Sequence, residues 1–475
     1  MTLHIRLDGQ TDLTGQIYRQ VRRAILDGRL RPGDRLPPSR ELARTLSVSR
    51  LTVTIAYERL AGEGFVRTAA GSGTFVSSAM AGQKRDEAPA IQAADAISPR
   101  PIWDTVVLPT AFDRPAIYDF RTGLPDGALF PHRSWRRLVG RELRAAETSA
   151  MIYGQPGGAS LLRSAIARHV AVSRGIDASE DRILITSGTQ QALDIVARVV
   201  LTPGDTIAVE DPGYEPPRHL FRSLGLQVAG VPVDHEGIVV DRLPNDARAV
   251  YVTPSHQYPL GVVMSMRRRR ALLQWAERRD ALIIEDDYDS EFRFVGRPLE
   301  PLQTIDAAGR VIYVGSFSKT LSPSIRLGFL FAPASLLPAL RKAKYVSDWY
   351  APELLQNVLG NFIAGGGFAR HIRKAGAVYR SRRRLIEAAI RRDFREHLDV
   401  VPSETGLHLT ATAKHLSAAE LELVAGRARE RGVAVHRLVS FAVTEAPRAG
   451  LVLGFGAIRT DQIEPGLKIL HECFR

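Results

Sequence analysis

Of the chain's 64 basic residues only seven are lysines, and one of these, Lys319, sits in the run VGSFSKTLSPSIRLGF between Ser316, Ser318 and Arg326. A lysine just past an apolar run is most often a surface ammonium. Held near a carbonyl and partly desolvated, the same amine becomes a Schiff-base nucleophile, because burial lowers its pKa. An acid–aromatic cluster, EDDYDSEF (285–292), closes an earlier apolar run. A carboxylate there suits a pyridinium ring nitrogen, whose charge keeps the ring an electron sink. A phosphate needs N–H groups at a helix start, hydroxyls and an arginine.

Each requirement has a candidate. Asp286 can pair with a ring nitrogen, Tyr288 can hydrogen-bond a ring hydroxyl, and Tyr214 can stack on the ring face. Gly188, Thr189 and Gln190, after Ser187, open a helix that can cradle phosphate, and Ser316, Ser318 and Arg326 can complete that shell. Taken singly these are weak signals: an aspartate at a strand end is more often a helix cap, and a tyrosine more often core.

The elements that must position them are also legible. From Tyr118 onward, runs rich in Val, Ile and Tyr alternate with helix-like stretches: DRILITSG, DTIAVEDPG, ARAVYVTPS, ALIIEDDYD and RVIYVGSFS. This alternation predicts an α/β domain with a mainly parallel, buried sheet. In such sheets ligands gather beyond the carboxyl ends of the strands, and each of these runs ends in polar residues. His256, at one such end, can contact an effector or cap the strand. Arg267 to Arg270 read as a solvated helix start with possible DNA-backbone contact. The sequence offers no metal site.

The first 78 residues carry 12 arginines, no lysine and seven acidic residues. IYRQVRRAILDGRL predicts an amphipathic helix ending at Gly28. Pro38-Ser39-Arg40-Glu41 opens a short second helix, with Ser39 as its expected cap. SVSRLTVTIAYERLAGEG gives a third helix starting near Ser49, and GFVRTAAGSGTFV a hairpin. Helix, helix, turn, helix and wing form the winged helix-turn-helix plan. On it, Ser49, Arg50, Thr52 and Thr54 reach base edges or phosphates, and Ser39 and Arg40 sit at a helix start that favours phosphate. Gly71 and Gly73 let the wing backbone approach DNA.

A length of 475 residues suits two or three domains. Those expected are a DNA-binding module over 1–78, an Ala- and Pro-rich linker over 79–116, and the α/β domain over 117–475. A net charge of +13 favours a polyanionic partner. A single cysteine, Cys473, suits a reducing compartment. With no apolar signal core and no long uncharged apolar run, the expectation is a soluble cytoplasmic protein without a membrane partner.

Residues 17–77 closely resemble the GntR-type winged helix. The segments YGQPGGASLLRSAIA, SGTQQALD, EDPGYEPPR, EDDYDSEFR and SFSKTLSPSIRLGF resemble a fold-type I aminotransferase that uses pyridoxal 5′-phosphate (PLP). Together the chain is similar to MocR/GabR-type transcriptional regulators. The resemblance implies that Lys319 forms the Schiff base with PLP, that the protein is a homodimer, and that Tyr153 of the partner subunit reaches the phosphate. It also implies paired DNA half-sites and an effector that is an amine, an amino acid or PLP itself. Two departures from working aminotransferases stand out. SHQYPLG, with Tyr258, replaces their Asn-Pro-x-Gly segment. Val452 stands where they place the arginine for the substrate carboxylate, with Arg437, Arg448 and Arg459 as nearby substitutes. The alternative to a regulator is an active aminotransferase with an added DNA-binding module; residual turnover is compatible with either.

Overall fold

The computed structural model describes residues 5–9, 11–69, 72–77, 98–106, 108, 116–147, 152–294, 296, 300–444 and 448–475. Two compact units emerge, Met1–Pro99 and Arg100–Arg475. Most of the expected linker lies outside the described residues.

In the smaller unit, α1 (Leu13–Leu26), α2 (Ser39–Thr45) and α3 (Arg50–Gly62) precede a hairpin of β1 (Val66–Ala69) and β2 (Gly73–Val76). Ile17, Val21, Leu42, Val53, Ala56, Leu60, Val66 and Val76 form its core. The spacing of the core residues along α1 and α3 places one face of each of these helices inward. Asp12 caps α1 by accepting from the Gly15 N–H. Ser49 caps α3 by accepting from the Thr52 N–H. The N-cap of α2 is Pro38, not Ser39, which is the first helical residue. Proline fixes the extended backbone that this position needs. The segment before α2 joins the wing, because Leu36 N–H donates to Thr74 O at 2.8 Å.

The larger unit runs β3 (Tyr118–Asp119), α4 (His132–Ala146), α5 (Ser160–Arg174), β4 (Ile183–Thr186), α6 (Thr189–Val200), β5 (Thr206–Asp211), α7 (Glu215–Ser223), β6 (Gln227–Asp234), β7 (Gly237–Ile238), β8 (Ala247–Val252), α8 (Met266–Arg279), β9 (Leu282–Asp287), α9 (Leu302–Ile305), β10 (Val311–Ser316), β11 (Gly328–Phe331), α10 (Leu337–Asp348), α11 (Glu353–Ala364), α12 (Gly367–Asp393), β12 (Leu398–Val400), β13 (His408–Ala413), α13 (Ala418–Glu430), β14 (Val433–Ala434), β15 (His436–Arg437), β16 (Gly450–Gly454) and α14 (Thr460–Glu472). Eight strands make the central sheet in the order β4-β11-β10-β9-β8-β5-β6-β7. Strands β10, β9, β8, β5 and β6 are consecutive and parallel, while β11 and β7 run against their neighbours. The Val- and Ile-rich strands are buried on both faces, as a helix-covered parallel sheet requires. A second sheet, β12-β13-β16-β15, is antiparallel and packs with α12, α13 and α14.

The arginine run at the start of α8 departs from its sequence reading. Arg269 is fully buried, donating to Met264 O, Glu300 O and Pro254 O and lying 3.7 Å from Glu285. Arg268 is buried against Asp234 and the Ile238 carbonyl. Both guanidiniums tie strand ends together, so neither is a solvated contact for DNA. No described helix is long and apolar enough to cross a membrane.

Candidate cofactor pocket and DNA-reading face

The carboxyl ends of β4, β5, β8, β9 and β10 meet at one sheet edge, which gathers the polar residues that end each run. At the end of β9 three consecutive acids find different partners. Glu285 accepts from the Leu302 and Gln303 N–H groups, both at 3.0 Å. Asp287 accepts from Tyr313 at 2.6 Å and pairs with Arg174 at 2.8 Å. Asp286, pointing to the opposite face, accepts from the Tyr251 hydroxyl through Oδ2 at 2.7 Å. Its Oδ1 is buried with no hydrogen-bond partner among the described residues. Burial pushes the Asp286 carboxyl up to about 7, with the Tyr251 hydrogen bond opposing.

Lys319 follows β10, and its Nζ donates to the Gly123 carbonyl at 2.8 Å. Burial lowers its pKa below the ordinary lysine value, and the charges of Asp289 and Asp286 oppose that drop. Tyr214 is pushed up to about 12 by burial and by the Asp286 charge, with Arg326 opposing. The lysine, the free carboxylate oxygen, this tyrosine and Arg326 therefore share one electrostatic neighbourhood.

Gly188 precedes α6 with φ +85°, and no side chain caps the helix, so the first-turn N–H groups, including Thr189 and Gln190, lack a capping side chain. A Cβ on Gly188 would lie 3.2 Å from Arg326 Nη2. That guanidinium donates to Ser187 O at 2.7 Å. Ser316 Oγ accepts from the Ser318 N–H at 3.1 Å. The Gln190 side chain donates to Pro216 O at 3.2 Å, so its backbone is what it can offer an anion. Uncapped helix N–H groups, a close glycine and an arginine fit a phosphate, and the orphaned Asp286 oxygen fits a ring N–H.

Tyr288 donates to the His256 carbonyl at 3.0 Å. His256 Nδ1 lies 3.0 Å from Asp289, which makes this histidine a buried structural link at the strand end. In SHQYPLG, Gln257 donates to Pro212 O at 2.9 Å, and Tyr258 shares a 2.6 Å hydrogen bond with Thr122. Val452 is fully buried beside Leu438 and Phe441. Of the substitute arginines, Arg437 pairs with Glu422 and Arg459 with Asp461, each at 2.8 Å, and Arg448 is exposed. Tyr153 is 72% exposed and packs edge-on to Trp349, with ring centroids 4.8 Å apart.

Sequence reasoning missed Tyr251, Gly123 and a support behind the phosphate cradle. Lys344, fully buried, pairs with Asp348 and donates to Gln191 at 2.9 Å. Gln191 in turn accepts from the Ser187 N–H at 2.8 Å. Lys344 belongs to the same small set of lysines that drew attention to Lys319, and it lies four residues before Asp348 on α10.

On the smaller unit, Arg40 and Arg50 are exposed at the starts of α2 and α3, with Ser39 partly exposed beside Arg40. Thr52 Oγ1 is hydrogen-bonded to Ser49 Oγ at 2.8 Å, and Thr54 Oγ1 donates to Arg50 O at 3.0 Å. Gly73 has φ +118°, and a Cβ there would lie 2.9 Å from Arg35 Nε. Gly71 lies outside the described residues.

Residues 13–76 match the model of the bacterial regulatory proteins of the gntR family, and residues 120–451 match that of aminotransferase class I and II. The chain is 35% identical to the probable rhizopine catabolism regulatory protein MocR of Rhizobium meliloti, over 98% of this chain and 94% of that one. It is 33% identical to the pyridoxine biosynthesis transcriptional regulator PdxR of Corynebacterium glutamicum, over 95% and 94%. Among solved structures, kynurenine aminotransferase of Pyrococcus horikoshii, held there with PMP, is similar at TM-score 0.70 and 30% identity, over 76% of this chain and 91% of that one. With an N-terminal GntR module, an aminotransferase-type sheet and regulators as relatives along nearly its whole length, the chain belongs to the MocR-type transcriptional regulators, which bind DNA and carry an aminotransferase-like domain.

Proposed function

We propose that this regulator holds PLP at Lys319, and that occupancy of the site by PLP, alone or with a small amine or amino acid, sets its affinity for operator DNA. The observation that carries this reading is the unpartnered, buried Oδ1 of Asp286 in the same pocket as a desolvated lysine. When bound, PLP supplies an electrophilic carbonyl and an electron-withdrawing ring. Lys319 presents an amine whose proton burial has loosened. Asp286 accepts from the ring nitrogen, Tyr214 covers the ring face, and Tyr288 orients the ring hydroxyl. Gly188, Thr189, Gln190, Ser316, Ser318 and Arg326 hold the phosphate, joined by Tyr153 of the partner subunit in a homodimer. Ser39, Arg40, Ser49, Arg50, Thr52, Thr54 and the wing glycines Gly71 and Gly73 face DNA at paired half-sites, in the cytoplasm, with residues 79–116 as the linker.

Val452 sits in an apolar setting and Arg437 and Arg459 are ion-paired, so none of these three stands ready for a substrate carboxylate as the arginine of efficient transamination does. Regulation is therefore favoured over steady turnover. The test is borohydride reduction of the PLP-loaded protein followed by peptide mass mapping. Mass added to the peptide containing Lys319 supports the reading, and an unmodified peptide refutes it. Steady-state turnover of amino and keto acids at about 1 per second or more would instead make the chain an aminotransferase with a DNA-binding module.

A further inference from the structure

The helix that opens at Ser49 turns two large apolar side chains to solvent. Leu51 is 66% and Ile55 44% exposed. They stand four residues apart, one turn along the same face. The inner face of α3 is fully occupied by Val53, Ala56, Tyr57 and Leu60. The hydroxyls flanking the exposed pair each make a local hydrogen bond, Thr52 with Ser49 and Thr54 to the Arg50 carbonyl. Among the side chains expected on this helix to read bases, Arg50 is exposed to solvent. Arg50, directly before Leu51 at the start of α3, adds an exposed positive charge beside the apolar pair.

In the major groove the one apolar group that a base edge offers is the thymine C5-methyl. We propose that Leu51 and Ile55 are specificity-determining residues that pack on thymine methyl groups, so that α3 selects thymine at one or two positions in each half-site. This rests on the DNA-binding role of the module and goes beyond it by naming which side chains read which chemical group. The exposed Arg50 beside the apolar pair favours a polyanion over an apolar protein surface as the occupant.

The test uses the full-length chain and a specific site selected from the DNA upstream of its own gene. Each thymine is replaced in turn by deoxyuridine, which removes the methyl and leaves base pairing unchanged. Affinity is read by fluorescence anisotropy at fixed salt. Loss of one buried methyl weakens binding about fourfold, at one or two positions per half-site. Leu51→Ala or Ile55→Ala removes the discrimination at its own position, so that thymine and uracil bind that variant alike. Both side chains are exposed, so neither change disturbs the fold. Specific wild-type binding that is indifferent to uracil at every position overturns the inference and leaves DNA recognition standing. Uracil sensitivity that persists unchanged in both variants overturns the assignment to these side chains. A wild-type chain with no specific complex at any selected site overturns the DNA-reading role as well. Indifference to uracil together with altered sedimentation of L51A in the absence of DNA gives this face to a protein partner, and the proposal fails.

Discussion

Replacing Asp286 by asparagine should move stability and cofactor binding in opposite directions. Burial holds this carboxyl at about 7 in the folded protein, against roughly 3.9 in an unfolded chain. The folded state therefore keeps a proton that the unfolded state releases, and stability is lost as pH rises from about 4 to 7. Three pKa units at 1.36 kcal/mol each make the ionised carboxylate about 4 kcal/mol unfavourable at pH 8 in the PLP-free protein. Asparagine keeps an oxygen for the Tyr251 hydroxyl and carries no charge. The PLP-free D286N variant should therefore be more stable than the parent, by about 1–2 kcal/mol at pH 5 and about 4 kcal/mol at pH 8. Urea unfolding at the two pH values measures this. The same variant should bind PLP at least tenfold more weakly, because the ring nitrogen loses its charged partner. A stability difference that does not grow with pH, or an unchanged PLP affinity, refutes the reasoning.

Lys319→Ala should abolish the visible absorbance of lysine-bound PLP while leaving far-ultraviolet circular dichroism unchanged. The rate at which that absorbance develops in the unsubstituted protein should rise with pH through a midpoint below the ordinary lysine value of about 10.4, since burial lowers the Lys319 pKa; a midpoint at or above that value counts against a desolvated amine. Lys344→Met leaves Asp348, a third exposed, without its cation. It should cost about 1–3 kcal/mol in thermal unfolding and weaken PLP binding through the Ser187 loop. Arg50→Ala should weaken operator binding about tenfold or more and leave the PLP absorbance as it was; loss of the absorbance would show that the two units are not independent.

What the sequence made legible was local. A lysine among serines, an acid cluster at a strand end and a glycine before a helix are read within a few residues, and the sheet brings them together as βα repetition requires. Contacts between distant segments were not legible. Tyr251 meets Asp286 because β8 lies beside β9, and Gly123 reaches Lys319 from nearly 200 residues away. The acid cluster did not reveal which carboxylate keeps a free oxygen, since that depends on Arg174, Tyr313 and the start of α9. The arginine run of α8 read as solvated because charge argues for the surface; backbone carbonyls at Met264, Pro254 and Glu300 draw Arg269 inward instead. Ser39 looked like a cap by residue type, but the proline before it already holds the extended backbone.

The most direct test of a PLP site coupled to DNA reading is operator affinity at fixed salt, with PLP removed and restored, in the unsubstituted protein and in K319A. A shift of at least fivefold on adding PLP, about 1 kcal/mol of coupling, present in the first protein and absent in K319A, is the predicted result. Specific binding that ignores PLP in both proteins, or that shifts equally in both, would contradict it.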